Sequence, residues 1–174
     1  TAAKRLKQLI APFILRRLKK DVLNELPEKI EEVRIACFDA KQQALYDGQV
    51  VKTLKLVQSQ SEEELSKSKI QILAELMRLR QICCDPGLAF SNYEGASAKR
   101  ELCLEMVQSA IAGEHKVLIF SQFKSMLKLL ADDLQREGIG YYTITGETPK
   151  EKRLALVRAF NNDATPVFLI SLKA

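Results

Sequence analysis

Val117-Leu118-Ile119-Phe120 is an unbroken apolar run set between the polar residues Glu114-His115-Lys116 and Ser121-Gln122. Four branched and aromatic residues in a row are the pattern of a strand buried on both faces. Downstream, Phe123, Met126, Leu127, Leu130 and Leu134 recur at the spacing of an amphipathic helix, which Gly138 stops. Tyr141-Tyr142-Thr143-Ile144 reads as a second strand. Thr148, Pro149 and Glu151 then open another helix: a capping hydroxyl, a proline at the first helical position and a glutamate at the third. Leu154, Val157 and Phe160 form its apolar face, Asn161-Asn162 ends it, and Val167-Phe168-Leu169-Ile170 is a third buried-type strand. Upstream, a helix starting near Ser97 carries Leu102, Met106, Val107 and Ile111. This αβαβαβ order with short loops predicts an α/β fold with parallel strands and right-handed crossovers. A three-stranded sheet that stops four residues after Ile170 is expected to continue, which makes the chain a fragment.

The first half has a different character. Leu6, Leu9, Ile10, Phe13 and Ile14 lie at helical spacing, with Pro12 as a break or kink. After Leu26-Pro27, the residues Ile30, Val33, Ile35 and Cys37 predict a strand. Asp39 is a capping residue for a helix through Leu45, Val50, Val51, Leu54 and Val57, which Gly48 weakens. Ser61 with Glu64 is a capping box for a helix through Leu65, Ile72, Leu73, Leu76, Leu79 and Ile82, stopped by Asp85-Pro86-Gly87. The polar, glycine-containing stretch from Phe90 to Ala96 is the predicted linker.

Composition bounds the function. The 174 residues are 47% apolar and 28% charged, with seven Gly and five Pro, which excludes collagen-like and low-complexity classes. No apolar run nears the ~18 residues that span a bilayer, so an intracellular protein with no membrane partner is expected. The net charge of +5 is uneven: residues 1–20 carry seven bases and no acid, and the remainder sums to −2. Such a patch suits phosphates or an acidic partner, or is a solvated helix face. Cys37, Cys83, Cys84 and Cys103 lack zinc spacing, and His115 is the only imidazole. No structural metal is expected, and the cysteines read as reduced thiols packed as small apolar groups.

In open α/β sheets, ligands bind beyond the carboxyl ends of the strands. Those ends read Ser121-Gln122-Phe123, Thr145-Gly146-Glu147-Thr148 and Ser171-Leu172-Lys173. The first two lead into helix N-termini, where free N–H groups and the helix dipole favour a phosphate. Hydroxyls, backbone amides and lysines hold a nucleic-acid backbone without reading its bases. The alternative is that Thr148 only caps its helix while Ser121 and Ser171 form turns. There is no G-x-x-x-x-G-K-[ST] and no G-x-G-x-x-G after a strand, so a nucleotide would be bound mainly by residues outside this chain.

Phe13-Ile14-Leu15-Arg16-Arg17-Leu18-Lys19-Lys20-Asp21-Val22, followed by Leu26-Pro27-Glu28-Lys29, resembles the F-x-L-R-R-x-K-x-D-V…L-P-x-K block of Swi/Snf-type ATPases of helicase superfamily 2. Leu79-Arg80-Gln81-Ile82-Cys83-Cys84-Asp85-Pro86 resembles their L-R-x-x-C-N-H-P block, and residues 117–123 their motif IV. Thr145-Gly146-Glu147-Thr148 with Arg153 and Phe160-Asn161 resembles D-G-[ST]-T-x₄-R…F-N, and residues 167–174 the opening of motif V. The five blocks stand in the family's order across nearly the whole chain. Departures are Cys84-Asp85 for Asn-His, Thr145 for Asp, Glu147 for a small hydroxyl residue and Leu172 for Thr.

The resemblance implies a helical insertion followed by a partial RecA-like parallel sheet. Residues 1–92 would be the end of lobe 1 with the insertion, and 93–174 the first half of lobe 2. It implies a parent ATPase that uses ATP and Mg²⁺, moves along double-stranded DNA and displaces or remodels DNA-bound proteins. Ser121, Gln122, Phe123, Lys124, Gly146, Thr148, Ser171 and Lys173 would approach DNA, while Arg16, Arg17 and Lys19 would couple the lobes. No catalytic residue falls within the chain, which alone would be inactive, since phosphoryl transfer needs a phosphate cradle, Mg²⁺ and an arginine. Its place would be a bacterial cytoplasm or nucleoid, or a nucleus. Two rivals are a non-enzymatic α/β binding module with a basic helical arm and a strand-separating helicase.

Overall fold

The three apolar runs assemble into one parallel sheet, β1 (Val117–Ser121), β2 (Tyr141–Ile144) and β3 (Val167–Ser171), in the order β1-β3-β2. In this computed structural model residues 5–6, 9–11, 14, 29–59 and 68–173 are described. Two units are present, Thr1–Ile35 and Ala36–Ala174. In the first unit Leu6, Leu9 and Ile10 are helical and Ala11 lies in a turn just before Pro12.

The predicted strand over Ile30–Cys37 does not form. Residues 29–39 form neither helix nor ladder, and Ile30 and Val33 are 92% and 88% exposed. An alternating pattern makes a strand only beside another backbone that can take its hydrogen bonds. Among the described residues the one sheet is β1-β3-β2. The polar side of this segment pairs with itself instead, Lys29 with Glu31 and Arg34 with Glu32.

In the second unit α1 (Ala40–Gln58) starts where Asp39 predicts, the carboxylate accepting from Gln42 N at 2.6 Å. Gly48 is helical like its neighbours. α2 (Lys69–Cys84) packs against α1 and ends at Asp85, whose carboxylate accepts from Gly87 N at 2.7 Å across a 3₁₀ turn, Pro86–Leu88. The predicted start at Ser61 lies outside the described residues. The buried face of α1 is polar: Gln42, Gln49 and Thr53. Gln42 Nε2 donates to Ile82 O at 2.8 Å, and its Oε1 accepts from Ala98 N at 3.2 Å, so one buried amide joins α1, the end of α2 and the start of α3 (Ala98–Ala112).

The predicted linker from Phe90 to Ala96 lies inside the second unit, bridged by Ser97 Oγ donating to Cys84 O at 3.0 Å. Beyond it, Arg100 pairs with Asp85 at 2.7 Å and lies 2.9 Å from Asp133 of α4 (Lys124–Arg136). The second contact pairs charges without hydrogen-bond geometry, so Asp133 Oδ2 has no donor, while Asp133 Oδ1 takes Arg136. Gly138, at φ 68°, supplies the left-handed residue that ends α4.

One sheet face is covered by α3 and α4 through Val107, Met126, Leu127, Leu130 and Leu134 against Val167 and Leu169. The other is covered by α5 (Lys150–Asn162), where Phe160 lies 5.1 Å, centroid to centroid, from Phe168. Here the reading of β1 as buried on both faces is corrected. Leu118 and Phe120 are 52% and 54% exposed, because β1 is an edge strand and α5 packs on the β2 side. The most covered strand is β3, in the middle, where only Ile170 is less than buried. Cys84 and Cys103 pack on the core as expected, whereas Cys37 is exposed. Burial pushes the Cys83, Cys84 and Cys103 thiols up, against the opposing charge of Lys99 at the first two.

Candidate nucleic-acid interface

Parallel strands end on the same side, so the sheet brings together three loops that are far apart in sequence. Leu172 N donates to Ser121 O at 3.0 Å, joining the ends of β3 and β1. Gly146 lies so close to the end of β3 that a Cβ there would sit 3.2 Å from Lys173 O. Lys124 Nζ pairs with Glu147 Oε2 at 2.6 Å, joining the β1–α4 and β2–α5 loops. Ser121, Gln122, Phe123, Lys124, Gly146, Thr148, Ser171 and Lys173 thus all lie at one end of the sheet. Arg16, Arg17 and Lys19 lie outside the described residues.

Each of the three hydroxyls accepts from a backbone N–H of its own loop. Ser121 Oγ accepts from Phe123 N at 3.1 Å, Thr148 Oγ1 from Thr145 N at 3.0 Å, and Ser171 Oγ from Lys173 N at 3.3 Å. An oxygen that accepts from its own loop keeps its O–H as a donor. The arrangement corrects one expectation: Thr148 does not cap α5. Pro149 holds the cap position, the helix begins at Lys150, and no side chain bonds its first N–H groups. The hydroxyl is turned back because Thr145 N sits within reach inside the tight turn, which Thr148 N closes by donating to Thr145 O at 3.0 Å. The start of α4 has no side-chain cap either. Two thirteen-residue helices therefore present unbonded N–H groups and the positive end of their dipoles at this end of the sheet.

Not every predicted residue faces outward. Ser171 is buried, and Phe123 is half-buried against the core that includes Met126 and Leu127. Lys124, Gly146 and Lys173 are exposed, and Ser121, Gln122 and Thr148 are half-buried.

Arg153 has a role that its place in the motif did not reveal. Its Nε donates to Thr148 O at 2.8 Å, and a terminal nitrogen lies 3.2 Å from Thr145 O and 3.4 Å from Gly146 O. A guanidinium fork fits such a row of carbonyls, as an ammonium does not. The signal was its position one turn into α5, from which a long side chain can reach back over the preceding loop. Lys152 was also missed. It lines a shallow hollow of about 270 Å³ with Thr143, Thr145, Glu147, Thr148 and Pro149. Among the described residues no three His, Cys, Asp or Glu side chains converge as a metal site would require.

The SNF2-related domain profile matches residues 1–88, and the helicase conserved C-terminal domain profile matches residues 98–174. An uncharacterized ATP-dependent helicase of Mycoplasma pneumoniae is 34% identical over 170 residues, 97% of this chain and 16% of that protein. Nuclear protein STH1/NPS1 of Saccharomyces cerevisiae is 31% identical over 188 residues, 98% of this chain and 14% of that one. The chain thus spans about a sixth of the length of these relatives. Among solved structures, the Sulfolobus solfataricus SWI2/SNF2 ATPase core in complex with dsDNA superposes with a TM-score of 0.74 at 28% identity, over 97% of this chain and 36% of that one. With the SNF2-related profile over half of its residues and the helicase C-terminal profile following in order, the chain belongs to the SNF2-related family.

Proposed function

We propose that the chain is the DNA-gripping segment of an ATP-dependent translocase that moves on double-stranded DNA and displaces or remodels proteins bound to it inside the cell. The observation that carries this reading is the gathering of three strand ends, each with a hydroxyl accepting from its own loop, beside two uncapped helix N-termini. Ser121, Thr148 and the backbone N–H groups at the starts of α4 and α5 donate to phosphate oxygens. Gln122, Lys124 and Lys173 flank them, Gly146 lets the backbone approach closely, and Phe123 and Ser171 hold the loops from beneath. Such a grip ignores base sequence and weakens steeply with salt.

On this reading residues 1–92 end the first motor lobe and include a helical insertion, and residues 93–174 begin the second lobe. Arg16, Arg17 and Lys19 couple the two. Gln42 and Arg100 tie the insertion to the second lobe. The sequence has no phosphate loop, and no carboxylate cluster for Mg²⁺ occurs among the described residues. ATP and Mg²⁺ would be held mainly by residues beyond this chain, and no chemical step is assigned to it.

The test is Thr148→Ala in the full-length protein. DNA stimulation of ATP turnover falls about tenfold at limiting DNA, the effect of one charge-assisted hydrogen bond, while ATP affinity is retained. Undiminished stimulation by DNA would remove Thr148 from the grip.

A further inference from the structure

Among the ion pairs of the described residues, Lys124–Glu147 alone joins two of the three strand-end loops. Lys124 is the first residue of α4, at the positive end of its dipole, and its ammonium lies 2.6 Å from Glu147 Oε2. The ammonium of Lys124 is thus already paired with an anion, and that anion is part of the protein.

The carboxylate is not needed to shape its loop. Arg153 holds Thr145, Gly146 and Thr148 by their carbonyls, Thr148 closes the turn, and Glu147 N donates to Thr145 Oγ1 at 3.4 Å. The side chains of Lys124 and Glu147 are 58% and 78% exposed, and a pair so solvated adds little to stability. The backbone of Glu147 is fixed while its side chain is free to leave.

We propose that Glu147 is a built-in competitor for the DNA phosphate at Lys124: its carboxylate occupies the ammonium when DNA is absent and is displaced by a backbone phosphate when DNA arrives. This rests on the phosphate-grip reading above. The competitor lowers the affinity of one contact in a row, and each phosphate must exchange with the carboxylate to bind. For a grip that is repeatedly made and released, a weaker and readily reversed contact shortens each hold. A neutral residue at position 147 would leave Lys124 permanently available and the grip tighter.

The test measures binding of the full-length protein to a short DNA duplex across a salt series, for Glu147→Gln, Lys124→Met and the double variant. Glu147→Gln binds about two- to fivefold tighter at low salt, the range set by one exposed ion pair. The slope of log affinity against log salt steepens by up to about one. Lys124→Met binds more weakly, and adding Glu147→Gln to it restores nothing. If Lys124→Met weakens binding but Glu147→Gln does not tighten it, the competitor is wrong and the grip stands. A gain from Glu147→Gln that persists in the double variant likewise overturns it, because the carboxylate would then act on DNA directly and not through Lys124. If Lys124→Met leaves binding unchanged, the phosphate contact at Lys124 falls, and the competitor with it.

Discussion

α1 and α4 invite the same reading from sequence and bury opposite things. α4 lies on the sheet and buries the apolar stripe Met126, Leu127, Leu130 and Leu134. α1 packs on α2 and buries Gln42, Gln49 and Thr53, leaving Val51 and Leu54 half-exposed. The sheet presents a broad apolar surface, so area removed from water decides which face turns inward. At the joint of α1, α2 and α3 stand backbone groups that have no helical partner, Ile82 O near a helix end and Ala98 N at a helix start. An amide with a donor and an acceptor can satisfy both, as no apolar side chain can.

That contrast can be broken most directly at leucine. Leu134 is fully buried and Leu54 is 51% exposed. Leu134→Ala is expected to cost about 2–5 kcal/mol through lost burial and a cavity. Leu54→Ala is expected to stay within about 0.5 kcal/mol. Urea denaturation of both variants checks this, and comparable losses would mean that α1 buries its apolar residues after all.

Gln42 sharpens the other side. Gln42→Leu keeps the volume and adds apolar surface, so burial alone predicts a neutral or stabilising change. Leaving Ile82 O and Ala98 N without partners predicts a loss of about 1–3 kcal/mol. The same denaturation measurement decides between them.

The smallest expected effect is in pH. Hydrogen bonds from Lys52 and then Gln49 hold the Glu75 carboxyl below its usual range at the α1–α2 contact. A depressed acid stabilises the fold above its unfolded value, about 4.3, and that contribution is lost as pH falls from there through the lower folded value. Burial pushes the Cys103 thiol up beside the core, as it does Cys83 and Cys84. There the unfolded chain gives up its proton first, so stability declines as pH rises past the ordinary thiol value of about 8.5. Thermal melts across pH are expected to show Glu75→Gln flattening only the acid limb and Cys103→Ala only the alkaline one.

The legible parts of this protein are those whose cause is local. The runs 117–120, 141–144 and 167–170 became strands, Asp39 capped α1, Asp85-Pro86-Gly87 stopped α2, and Gly138 ended α4. The illegible parts needed a partner distant in the chain. Ile30–Cys37 has the alternation of a strand and no neighbouring strand among the described residues. Thr148 has the sequence of a cap and turns to Thr145, because the turn's closure offers a nearer donor than α5 does. Arg153 was visible as a letter in a motif, and only the folded loop shows which three carbonyls it holds.

From Ser97 onward the sequence by itself determined the order of helices and strands, most of their ends and the side on which three loops would meet. Periodicity, capping and the parallel crossover act over a few residues or follow from chirality. The tertiary structure decided that β3 lies between β1 and β2, that one face of β1 is exposed, and that α1 buries amides. It also decided that Lys124 meets Glu147 across two loops. Each of these depends on which groups from separate segments come within a few ångströms of one another. Spacing along a chain cannot specify that, because a hydrogen bond, an ion pair or a buried area is a property of two surfaces and not of one segment.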